Sequence, residues 1–162
     1  MNIEKLFQMQ TQLDDRIRQE HNLIEEDLMD EKILAFQVEL GELANETRCF
    51  KYWSIKPASE REVILEEYVD GVHFLLSIGL ELQTSSLSAR NRKIENQSLT
   101  KQFMVLFQLS SQLGDTKKIE LFEDLFQQYL HLGDLLNYSI EDIEIAYIGK
   151  NEVNHQRQNE GY

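Results

Sequence analysis

Cysteine and proline are nearly absent from this sequence, and basic residues are few. The single cysteine, Cys49, has no partner for an intramolecular disulfide, which predicts a reducing, cytoplasmic setting. One proline and seven glycines leave few helix breakers among 162 residues. With long Leu/Glu/Gln-rich runs, that scarcity predicts an all-α protein. Lys and Arg number 16 against 29 Asp and Glu, for a net charge of −13. A surface of that sign repels a phosphate backbone, so no nucleic acid partner is expected. A nucleotide stays possible, because a metal ion held by carboxylates reverses the local sign. No apolar run approaches the roughly 20 residues that a membrane span needs, and Met1-Asn2-Ile3-Glu4-Lys5 lacks the basic-then-apolar order of a secretory signal. No membrane association is expected. Hydrophobic content of 41% supports a packed core, and the length fits a single domain over 1–162.

Several chemistries are missing too. No glycine-rich phosphate loop occurs, since Glu144 stands where the first glycine before Gly149-Lys150 would be. The histidines His21, His73, His131 and His155 are scattered and, with one cysteine, give no zinc spacing. No G-x-S-x-G nucleophile elbow appears. Carboxylates are what remain.

Two helices carry them. Apolar spacing predicts helices over residues 3–20, about 30–46, about 59–82, 99–113, about 116–136, and from 139 towards the end. Ile3, Leu6, Phe7, Met9, Leu13 and Ile17 form the stripe of the first, with Gln10, Asp14 and Arg18 opposite. The second has Ile33, Leu34, Phe36, Leu40, Leu43 and Ala44 as its expected core, and Glu39, Glu42 and Glu46 on a neighbouring face. Ser59-Glu60-Arg61-Glu62 has the form of a capping box opening the third. That helix is apolar nearly all round, so it should be central, yet it carries Glu67 and Asp70. If the second and third helices pack together, Glu39, Glu42, Glu67 and Asp70 converge. Converging carboxylates repel unless cations lie between them, and oxygen ligands suit a hard ion such as Mg²⁺.

Three other stretches admit two readings each. Arg48 to Pro57 groups Phe50, Tyr52 and Trp53 with Lys51 and Lys56, able to hold a base and a phosphate or simply to cover the helix ends. Gln83 to Ser98 is polar and aperiodic, a surface loop or a flap. Lys150, Asn154 and Arg157 share one helix face, suited to phosphate oxygens or merely solvated.

Glu39-x-x-Glu42 followed by Glu67-x-x-Asp70 resembles the metal motif of the MazG-like all-α nucleoside triphosphate pyrophosphohydrolases. Within that superfamily the chain most resembles the dimeric all-α dUTPases, of the kind carried by Gram-positive bacteria and their phages. His73 falls where those enzymes have a histidine near the nucleoside. Lys51-Tyr52-Trp53 resembles their aromatic segment, and Lys150-x-x-x-Asn154-x-x-Arg157-Gln158-x-x-Gly161-Tyr162 resembles their C-terminal phosphate and base motif. The resemblance implies a helical bundle with the two metal-binding helices packed at its centre, and a homodimer. It implies Mg²⁺-dependent hydrolysis of dUTP to dUMP and pyrophosphate by a metal-activated water. Glu39, Glu42, Glu67 and Asp70 would be the metal and catalytic residues. Trp53, His73, Asn154, Lys150 and Arg157 would bind substrate. Members carry a Gln and an Asn on the first helix that read uracil. The candidates in this chain are Gln10 or Gln12 and Asp14, and an Asp changes the donor–acceptor pattern. A related pyrophosphohydrolase for dCTP or another triphosphate is one alternative. A non-catalytic acidic helical interaction protein is the other.

Overall fold

The computed structural model describes residues 1–87 and 97–161. Among these are six helices and no strand: α1 (Ile3–Glu20), α2 (Met29–Thr47), α3 (Arg61–Glu81), α4 (Leu99–Thr116), α5 (Ile119–Leu135) and α6 (Ile140–Asn159). The all-α expectation holds. Most of the aperiodic stretch from Gln83 to Ser98 lies outside the described residues, as does Tyr162.

α3 is the hub, as its apolar circumference requires: it packs against α1, α2, α5 and α6, while α4 covers α2 and α5. Tyr68 on α3 and Tyr129 on α5 stack with ring centroids 4.7 Å apart. Each hydroxyl donates to the other residue's backbone carbonyl, at 3.1 Å and 2.8 Å. The rings fit because each lies over a glycine. A Cβ on Gly71 would stand 2.7 Å from Tyr129 Cζ, and one on Gly133 the same distance from the Tyr68 hydroxyl.

Local signals were obeyed where nothing competed. Ser139 and Asp142 form a reciprocal capping box at the start of α6. The box read at Ser59 does not form. Glu60 is the N-cap of α3, and Ser59 Oγ instead donates to Glu46 near the end of α2, closing the α2–α3 connection. The fourth helix, expected to end at residue 113, continues to Thr116 and stops at left-handed Lys117. Leu34, read as core, is 61% exposed. Gln10, read on the polar outer face of α1, is buried, because that face turns inward against α3 and α6.

Candidate active site

α2 and α3 bring carboxylates together at their mutual face. One oxygen from each of Glu39, Glu67 and Asp70 lies within 4.8 Å of the others. Burial drives the Glu39 carboxyl up to about 7, reinforced by Asp70, Glu42 and Glu67. Burial also raises Glu67, with Glu42 and Asp70 adding to it. Asp70 is raised by burial against the opposing pull of Lys150. A cluster that resists its own ionisation is what a hard divalent cation relieves, so the donor set fits such an ion. Glu42 is exposed and outside the three-carboxylate group, yet close enough to act on both Glu39 and Glu67.

Lys150, carried over this face by α6, is the cluster's internal counter-charge. Its ammonium donates to Asp70 at 2.7 Å and to Glu66 at 2.9 Å. Burial would lower its pKa, but these two carboxylates outweigh that and raise it.

A cavity of about 360 Å³ opens beside the carboxylates. Glu39, Asp70 and Lys150 lie in its wall, with Asn154 and Arg157 beyond them on α6. Leu13, Ile17, Leu28 and Phe74 supply an apolar part. His73 and Ser77 continue the α3 face that carries Asp70, at i+3 and i+7. Charged at one end and partly apolar at the other, the cavity suits a ligand with a polyanionic tail and a flat heterocycle.

The apolar end is bordered by a polar network. Gln10 Nε2 donates to Asp14 Oδ1 at 2.7 Å, and Gln10 Oε1 faces the Tyr147 hydroxyl and His73 Nδ1, each at 2.8 Å. Asp14 also takes Lys32 Nζ at 3.0 Å and the Ser77 hydroxyl. Lys32 reaches on to Glu81 at 2.6 Å, which Arg18 also pairs. His73 stacks on Tyr147 at 4.1 Å and is buried. Burial and the Lys150 charge push its pKa down to about 3, against the Tyr147 carbonyl, so the ring is neutral.

Of the residues expected from sequence, Glu39, Asp70, Gln10, Asp14, His73, Lys150, Asn154 and Arg157 therefore share one cavity. Glu67 joins them through the carboxylate cluster. Gln12, the alternative to Gln10, is exposed. Trp53 is not brought to the cavity. It is 65% exposed, edge-on to Phe50 and Tyr52 in a segment whose Lys51 bonds Asn45 at the far end of α2. Lys32, Ser77 and Tyr147 were not anticipated. Ser77 could have been found by extending the Asp70–His73 spacing one turn, and Lys32 as the one basic residue of α2.

The family model described as dUTPase matches residues 2–162 of the chain. No curated protein matches it.

Proposed function

We propose how this site works from one premise: the chain belongs to the all-α dUTPase family, whose reaction is hydrolysis of dUTP to dUMP and pyrophosphate. The observation carrying the proposal is the convergence of Glu39, Glu67 and Asp70 at one end of a cavity closed by Lys150. In this reading those three residues, with Glu42 beside them, hold Mg²⁺. When bound, the ion supplies positive charge against the phosphates and acidifies water in its shell.

The chain's own residues do the rest. Glu39, in the cavity wall beside the other carboxylates, accepts the proton of the attacking water. The water oxygen bonds to phosphorus as the α–β linkage of the triphosphate breaks, and pyrophosphate leaves with the electron pair. Lys150 and Arg157 offset charge on the phosphate chain. Asn154 and His73 border the sugar and base, and Leu13, Ile17 and Phe74 cover the heterocycle and exclude water. We place the protein in the cytoplasm as a single domain. Among the described residues no helix is long and apolar enough to cross a membrane.

A homodimer belongs to the same reading. Leu34 and Val38 on α2, and Met104 and Phe107 on α4, are exposed on two helices joined where Gln37 bonds Ser110 at 3.0 Å. Exposed apolar side chains grouped this way are what a second copy covers. The mass of the eluting species, measured by light scattering, is expected to be twice that of the chain.

Pyrophosphate release from dUTP, dCTP, dTTP and UTP, each with Mg²⁺ and with EDTA, tests the reaction. Turnover is expected for dUTP with Mg²⁺ and none with EDTA. Equal turnover of dCTP would shift the assignment to a less selective pyrophosphohydrolase, and undiminished turnover in EDTA would remove the metal.

A further inference from the structure

His73 has one ring nitrogen engaged and the other bare. Nδ1 lies 2.8 Å from Gln10 Oε1, whereas Nε2 is buried with no hydrogen-bond partner among the described residues. A buried acceptor without a partner is costly unless a ligand supplies one.

The proton's position on this ring is fixed by the neighbours in turn. Asp14, ion-paired to Lys32 at 3.0 Å, is a carboxylate and can only accept. Its Oδ1 must therefore face the amide nitrogen of Gln10, at 2.7 Å. The opposite orientation of Gln10 would set oxygen against carboxylate. Gln10 Oε1 consequently points at His73 and at the Tyr147 hydroxyl, and an oxygen cannot donate. His73 Nδ1 must carry the hydrogen, and a neutral ring has no second one for Nε2.

We propose that Asp14 and Gln10 are positioning residues: they hold His73 as the Nδ1–H tautomer, so that Nε2 accepts a hydrogen bond from the nucleoside. This rests on the reading that the nucleoside occupies the cavity. A deoxyuridine offers two donors, the imide N3–H of the base and the 3′-hydroxyl of the sugar. His73 lines the cavity one turn beyond Asp70 on α3 and one turn before Ser77, which bonds Asp14. If the donor is N3–H, the same atom discriminates against cytosine, whose N3 is itself an acceptor.

Nitrogen-15 spectra of the histidine-labelled full chain decide the matter, with His73 assigned by its loss in His73→Gln. In the free protein, the expected pattern is a protonated Nδ1 and a bare Nε2. A proton on Nε2 overturns the proposal, and this measurement needs neither substrate nor an engineered relay. Asp14→Asn is expected to move the proton towards Nε2 and to raise the KM for dUTP about tenfold, the weight of one hydrogen bond, with kcat nearly unchanged. A raised KM with an unmoved tautomer would mean that Asp14 touches the ligand itself, against the proposal. Titration with a non-hydrolysable imido analogue of dUTP is expected to shift the Nε2 resonance. Its 3′-deoxy and deoxycytidine counterparts identify the donor, as the analogue lacking it leaves Nε2 where it was. Saturable binding of the dUTP analogue with no Nε2 shift overturns the proposal, whereas absence of binding would count against the functional reading instead.

Discussion

Glu39→Gln is expected to yield a protein that is more stable than the wild type and nearly inactive. Glu39 belongs to three half-buried carboxylates that oppose one another's ionisation. Neutralising it removes repulsion from the folded state and, in the proposed mechanism, removes both a metal ligand and the base. Turnover of dUTP should fall on the order of 10³-fold, the scale set by losing one preorganised electrostatic group at a reacting centre. Stability and activity move apart because the site is built against the interests of the fold.

The effect has a pH signature. In the folded chain Glu39 titrates at about 7 rather than 4.5, so between those values the folded state holds a proton that the unfolded state has lost. Stability contributed by such a group is complete below about pH 4.5 and is lost as pH rises through 7. The melting temperature of Glu39→Gln minus that of the wild type, both in EDTA, should therefore widen from pH 4.5 to pH 7. Comparing two proteins is needed because His73, depressed to about 3, adds a slope of the opposite sign below its ordinary value of 6.5. A difference constant across that range would show that Glu39 is not held in a repelling cluster.

The second large effect is expected at Gly71. Alanine there puts a methyl group against the Tyr129 hydroxyl and 2.7 Å from Cζ, in a ring sealed between α3 and α5. Overpacking of this kind costs about 3 kcal/mol, which lowers the melting temperature of a chain this size by roughly 6–12 °C. Tyr129→Phe removes the nearest atom, so Gly71→Ala with Tyr129→Phe should be less destabilised than the sum of the two changes. Additive losses would mean that the contact is not where the cost arises.

The carboxylates were legible in sequence because charge set into apolar helices has few explanations. His73 was legible only through its resemblance to a family motif, whereas helical spacing alone put Lys150 on a face suited to phosphate or to solvent. The polar network was half legible. Gln10 and Asp14 could be named, but the inward turn of the α1 face depends on packing against α3 and α6, which periodicity along one helix does not contain. Lys32 stood out as the one basic residue of α2, but its pairing was hidden for the same reason: its partners Asp14 and Glu81 come from two other helices. The Ser59 capping box failed because a tertiary acceptor, Glu46, competed for the hydroxyl. Leu34 failed because helical spacing marks an apolar side chain without saying whether its own chain or another covers it.

The reciprocal bonds between Tyr68 and Tyr129 also govern motion. Sliding α3 along α5 by one turn would break both bonds together and drive each ring off the glycine that makes room for it. These two helices are therefore locked in register, and Glu67 and Asp70 on α3 keep one height relative to α5.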